Sequence, residues 1–226
     1  MTDFPFDIVG FDLDGTLLDT SADLGVALNH ALRLGGYEAV PMEQVRELVG
    51  GGTKAMLARA LARQGVTLAD DALASLTEAL VAHYEANIAV HSRLFPGGAE
   101  MLQELAARGA KLAIVTNKLE HLARKLLGEL ELTDHFYTII GGDTLGPGRA
   151  KPQPDLLELM VARSGLAQAR TAYVGDTSFD TGAAAAAGFP CVVVDFGFND
   201  RPAADLGGAA VISHFDALAD TLLELA

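Results

Sequence analysis

Six short runs rich in β-forming residues recur along this chain, at residues 6–12, 111–117, 137–141, 171–176, 191–196 and 209–213. Between most of them lie helical patterns of suitable length, at residues 98–108, 118–129, 154–163 and 178–187. Parallel strands need a crossover, and a helix is the usual one, so this alternation predicts a three-layer, Rossmann-like α/β core on a mainly parallel sheet. Ligands of such sheets bind beyond the carboxyl ends of the strands.

One stretch breaks the alternation. From about Ser21 to Ala89 the pattern is helical throughout: Leu24, Leu28 and Leu32 repeat at four, and Leu73, Leu76, Leu80 and Tyr84 follow near helical spacing. An inserted α-helical domain over residues 19–89 is expected, with the core split into residues 1–18 and 90–226. A chain of 226 residues with 50% hydrophobic content can bury a core of this size without disulfides. The run Ala183–Ala187 is a strong helix former ended by Gly188 and Pro190.

A formal charge of -14 argues against nucleic-acid and anionic-membrane surfaces, which need clustered Lys and Arg. No apolar stretch approaches 20 residues without polar breaks, so a soluble, cytoplasmic protein is expected. The single cysteine, Cys191, lies in Pro190-Cys-Val-Val-Val-Asp195 and reads as a small apolar residue of a buried strand. Residue 197 is glycine, which rules out the Cys-x5-Arg loop of thiol-based phosphatases.

Four polar clusters each follow a predicted strand, which puts them on one rim of the sheet: Asp12/Asp14, Thr116-Asn117-Lys118, Lys151-Pro-Gln-Pro154 and Gly175-Asp-Thr-Ser-Phe-Asp180. Asp12 and Asp14 sit at i and i+2 and share a face if the strand continues. Two carboxylates about 4 Å apart repel by roughly 4 kcal/mol at an effective dielectric of about 20. Either a cation lies between them or one stays protonated.

The order and combination of these clusters resemble the haloacid dehalogenase superfamily, whose phosphatases use Asp-x-Asp-Gly-Thr, a Ser or Thr after the second strand, a Lys, and Gly-Asp-x-x-x-Asp. The helical insertion resembles that superfamily's cap domain. Asp12 is then the expected carboxylate nucleophile, forming an aspartyl-phosphate. Asp14 is the expected acid and base, protonating the leaving alkoxide and later deprotonating water. Asp12, Asp176 and, by resemblance, the backbone carbonyl of Asp14 are the expected ligands of Mg²⁺. Asp180 either acts through a water ligand of the metal, orients its neighbours, or serves only as a first-turn acid of its helix.

Thr116 and Asn117 are expected to bind phosphoryl oxygens through the hydroxyl and the free N–H groups of the following turn, or to act as an N-cap. Lys151 precedes a proline and is expected to hold phosphate and nucleophile as an extended point charge. In the insertion, Val49-Gly-Gly-Gly-Thr-Lys54 resembles a substrate-facing loop, with Gly51, Gly52 and Lys54 as its candidate contacts. Arg46 and Arg59 are further cations that could meet a substrate carboxylate. The histidines show no ligand spacing, which argues against zinc.

Asp14 narrows the chemistry, since phosphonate-cleaving relatives and dehalogenases lack this second acid. The segments Gly141-Gly-Asp-Thr-Leu145, Ile114-Val-Thr-Asn-Lys118 and Val49-Gly-Gly-Gly52 look like phosphoglycolate phosphatases. Pro147-Gly-Arg-Ala150 and Thr177-Ser-Phe179 depart from that family's pattern. The resemblance implies hydrolysis of 2-phosphoglycolate or another small phosphorylated metabolite by a monomer or homodimer. Alternatives on the same scaffold are a sugar-phosphate phosphatase or mutase, a pyrophosphatase or a phosphonoacetaldehyde hydrolase using Lys54; a non-enzymatic, receiver-like module fits the insertion and motif order poorly.

Overall fold

The computed structural model describes residues 4–225. The chain enters through β1 (Ile8–Phe11) and β2 (Leu18–Asp19), then runs through three helices, α1 (Ser21–Leu34), α2 (Thr53–Ala62) and α3 (Asp70–Ala86). It returns by β3 (Arg93–Leu94) into α4 (Gly98–Ala107), β4 (Lys111–Val115), α5 (Glu120–Glu129), β5 (Thr138–Ile140) and α6 (Asp155–Ser164). The last third comprises β6 (Thr171–Gly175), α7 (Ser178–Ala187), β7 (Cys191–Val194), β8 (Ala210–Ile212) and α8 (Leu218–Glu224). Six strands form one sheet in the order β5-β4-β1-β6-β7-β8, and every pairing is parallel.

Alternation along β1 divides the interior into two apolar layers. Ile8 joins Ala113, Tyr173, Leu156 and Ala183 beneath α6 and α7, whereas Val9 and Phe11 join Leu112, Ile114, Met101 and Leu122 beneath α4 and α5. Gly10 is set by the first layer. A Cβ there would stand 2.6 Å from Met160 Sδ and 2.9 Å from the Tyr173 ring, so α6 packs this closely only over glycine.

The helical insertion hangs from a two-stranded antiparallel ribbon in which Leu18 pairs with Leu94 and Asp19 with Arg93. Strands of two residues carry no periodic signal, which is why neither was expected. Asp23 in α1 secures the returning chain: its buried carboxylate accepts from the N–H of His91 and from both the N–H and hydroxyl of Ser92. Leu24, Leu28 and Leu32 face inward with Leu80 and Tyr84 of α3, as their spacing predicts. Among the described residues, no helix is long and apolar enough to cross a membrane.

One helix begins later than expected. Leu119 takes extended angles and α5 starts at Glu120, whose N–H is received by the Asp143 carboxylate at 2.8 Å. Residues 117–119 therefore stay outside the helix, and Lys118 is free to point elsewhere.

Candidate active site

All four predicted clusters converge at the carboxyl ends of β1, β4 and β6. Asp12 follows β1 and is held by its N–H donating to the Val174 carbonyl of β6. Gly15 adopts φ of 89°, and a Cβ there would lie 2.4 Å from Asp176 Oδ2 and 2.6 Å from the Phe198 ring. Glycine thus lets the first loop close against the Asp176 loop. Thr16 completes the contact by donating to Asp176 Oδ1 at 2.8 Å, while the Phe198 N–H donates to Oδ2 at 2.6 Å.

Lys151 is the electrostatic centre. Its ammonium, 2% exposed, donates to Asp12 Oδ1 at 2.8 Å and Asp180 Oδ1 at 2.6 Å, and contacts the Tyr173 hydroxyl and the Val115 carbonyl. Burial alone would push this amine down; the charges of Asp12 and Asp180 outweigh it and hold the ammonium well above the ordinary lysine range. Asp12 is pushed up to about 6, by burial first and by Asp180 as well, against the pull of Lys151. Burial, Asp180 and Asp12 together also raise Asp176.

Carboxylate oxygens of Asp12, Asp176 and Asp180 lie within 4.8 Å of one another. Three acids so close, with one ammonium among them, leave excess negative charge that a hard divalent cation would offset. Asp180 is the least available as a ligand. Its Oδ2 already accepts from the Thr177 hydroxyl and the N–H groups of Asp176 and Thr177, and its Oδ1 is taken by Lys151. The same carboxylate therefore pairs with Lys151 and closes a capping box on α7.

Asn117 lies on the cavity wall, and its side chain has a further partner. The amide receives the Lys151 N–H at 2.9 Å and donates to the Lys151 carbonyl at 3.0 Å, so the side chain clamps the lysine loop. Thr116 is buried on the cavity wall, its oxygen accepting from the Lys118 N–H, and it is not the cap of α5. At the start of α5 the Glu120 N–H is taken by the Asp143 carboxylate.

Lys118 is the polar residue whose importance the motif obscured. Its ammonium bridges both oxygens of Asp14, at 2.8 and 2.9 Å, and the Tyr84 hydroxyl of the insertion at 2.8 Å. Burial opposes its charge, but Asp14 and Tyr84 prevail and keep it above the usual lysine range. The sequence pattern puts Lys118 at the start of a helix and Tyr84 in an apolar stripe, and no local pattern marks the Tyr84 hydroxyl.

The insertion covers the site. Gly50, Gly51 and Gly52, all at positive φ, run along a cavity of about 260 Å³ whose wall includes Asp12, Asp14, Thr116, Lys118 and Lys151. The Phe179 ring rises from α7 beneath Gly51, where a Cβ would meet it at 3.4 Å. Lys54 lies on this wall, while Arg46 and Arg59 do not: Arg46 pairs with Asp19, and Arg59 donates to the carbonyls of Leu48 and Gly50 and thereby shapes the loop. Cys191 is buried in β7, and burial pushes its thiol far up.

Residues 9–194 match the family model of haloacid dehalogenase-like hydrolases. A phosphoglycolate phosphatase of Mesorhizobium japonicum is 41% identical over 217 residues, covering 96% of this chain and 95% of its own. One from Rhodospirillum rubrum is 38% identical over 94% of this chain and 89% of its own. Among solved structures, a predicted phosphoglycolate phosphatase from Haemophilus somnus superposes with a TM-score of 0.88 at 28% identity, covering 96% of this chain and 98% of that one. CbbY from Rhodobacter sphaeroides, solved in complex with phosphate, reaches a TM-score of 0.78 at 25% identity over 94% and 96%.

Proposed function

The chain belongs to the haloacid dehalogenase-like hydrolases, and from that premise we propose that it hydrolyses 2-phosphoglycolate to glycolate and phosphate through an aspartyl-phosphate on Asp12. The observation that carries the chemistry is Asp12 beside the Lys151 ammonium, opposite Asp176, on the floor of a small covered cavity. The substrate assignment is supported by relatives of that name over nearly the whole chain. Residues 19–89 act as the cap and the remainder as the core.

Asp12 attacks phosphorus as the P–O bond to the glycolate oxygen breaks, and Asp14 delivers the proton that lets this oxygen leave as an alcohol. Asp14 then takes a proton from the water that attacks the acyl phosphate, which restores both carboxyl groups. Lys151 balances the charge of nucleophile and phosphoryl group, and the Thr116 hydroxyl is near enough to the cavity to donate to a phosphoryl oxygen. Asp12, Asp176 and the Asp14 backbone carbonyl would hold Mg²⁺, an all-oxygen set suited to a hard cation. When bound, the ion supplies positive charge to the phosphoryl oxygens and relieves the repulsion between Asp12 and Asp176.

An aspartate at 14 favours an oxygen leaving group over imine-based phosphonate cleavage by Lys54. The deciding experiment measures phosphate release across a panel of small phosphorylated metabolites with Mg²⁺. The highest kcat/KM on 2-phosphoglycolate and no turnover by Asp12→Asn are expected. Better turnover of a sugar phosphate would move the substrate, and an active Asp12→Asn would remove the nucleophile.

A further inference from the structure

The Lys118 ammonium is held between two partners, donating to the Asp14 carboxylate, 2.8 and 2.9 Å from its two oxygens, and to the Tyr84 hydroxyl at 2.8 Å. Asp14 and Lys118 belong to the loops after β1 and β4, but Tyr84 comes from α3 of the cap. Both side chains are buried, Lys118 at 9% and Tyr84 at 1% exposure, and both lie on the cavity wall. The Tyr84 ring also lies 4.4 Å from the same ammonium. One residue on, the Glu85 carbonyl receives Lys125 of α5 at 2.6 Å, which ties the same turn of α3 to the core.

We propose that Tyr84 is a positioning residue for the acid–base step: its hydroxyl, brought in by the cap, fixes Lys118, and Lys118 fixes the Asp14 carboxyl. An ammonium that lost the Tyr84 oxygen would turn to recover an acceptor, because an unpaired buried donor costs about 1–3 kcal/mol, and turning loosens its hold on Asp14. The acid–base group is therefore fully ordered only with α3 over the site. Tyr84 touches neither Asp12 nor the phosphate-holding Lys151 through any hydrogen bond among the described residues, so binding and nucleophilic attack are left in place.

This inference rests on the proposed phosphatase chemistry, and kcat/KM for a series of phosphate esters separates the two. A good leaving group such as p-nitrophenolate departs without a proton, whereas an alkoxide needs one. In Tyr84→Phe, kcat/KM for 2-phosphoglycolate is expected to fall about tenfold or more, within the roughly 10²–10⁴ that a general acid supplies, while that for p-nitrophenyl phosphate falls less than about twofold. Lys118→Gln should show the same selectivity, and Tyr84→Phe added to Asp14→Asn should add none. Equal losses on both esters would make Tyr84 merely structural, and no loss would remove its role altogether. If Asp14→Asn itself shows no selective loss, the acid–base assignment fails instead.

Discussion

The Lys151 ammonium meets the Asp12 carboxylate at 2.8 Å across 139 residues of sequence. The same nitrogen meets Asp180, so one cation partly compensates Asp12 and the acid that anchors α7. Removing it leaves Asp12, Asp176 and Asp180 buried together without a positive charge. Breaking a buried ion pair in this way costs about 3–5 kcal/mol.

Lys151→Met should therefore be destabilised by an amount of that order in urea titrations. Turnover should fall by at least about 10²-fold, the usual loss for a group that stabilises developing charge. Turnover within tenfold of wild type would mean that Lys151 holds the fold and not the reaction.

Metal and pH should be linked through Asp12. In the metal-free protein its carboxyl is pushed up from 3.8 to about 6, so between these values the folded state holds a proton that the unfolded state has lost. The sign follows: this group's contribution to stability is greatest below about pH 4 and is lost as pH rises through 6, by a few kcal/mol. Mg²⁺ competes with that proton, so its stabilising effect should grow over the same window. Melts at pH 5 and pH 7.5 after EDTA treatment, with and without added Mg²⁺, should show the larger rise in Tm at pH 7.5; an equal rise at both would break the link.

Much of this site was legible because its clusters sit where strands end, and a strand end is visible in the hydrophobic pattern. Strand ends mark Asp12, Asp14 and Asp176, while Lys151 and Asp180 lie farther along the chain and stand out only through the order of the four clusters. What escaped was the direction of side chains. Asn117 follows β4 beside Thr116, and nothing local says that it turns to the Lys151 backbone. The local pattern starts α5 at Lys118, two residues early, because the acceptor of the Glu120 N–H, Asp143, lies 23 positions away. Tyr84 fits the apolar periodicity of α3, which carries no sign of its hydroxyl. Contacts between cap and core are long-range, and a periodic pattern carries no record of them.

Asp23→Ala separates the hinge, meaning the contacts of Asp23 with His91 and Ser92 beside the two-stranded ribbon, from the chemistry. It removes the acceptor of two backbone N–H groups and one hydroxyl at the point where the chain re-enters the core. Losing buried hydrogen bonds to a charged acceptor should cost about 3 kcal/mol, shared between hinge and fold. The expected signature is a lowered urea midpoint and faster proteolysis near residues 89–92, with the ratio of kcat/KM between aryl and alkyl phosphates unchanged. A shift in that ratio would show that the hinge bears on Asp14.

Lys54 tests how the substrate's carboxylate is met. It lies on the cavity wall, 59% exposed, and its nearest acidic partner is Asp70 at 4.0 Å, itself almost fully exposed. An ion pair so open to solvent is worth about 0.2–1 kcal/mol. Lys54→Ala should therefore raise KM for 2-phosphoglycolate no more than about fivefold, leave kcat near wild type, and leave KM for a phosphate ester without a carboxylate unchanged. Loss of kcat by orders of magnitude, or trapping of Lys54 by borohydride with phosphonoacetaldehyde, would instead make it the amine of a phosphonate-cleaving enzyme. That outcome is disfavoured by the environment: an imine-forming lysine needs its amine neutral, and desolvation is what usually achieves this. Lys118 and Lys151 have the burial but are held charged by carboxylates, while Lys54 has no comparable burial. Of the three lysines on the cavity wall, none combines burial with freedom from a carboxylate, so none is suited to form an imine.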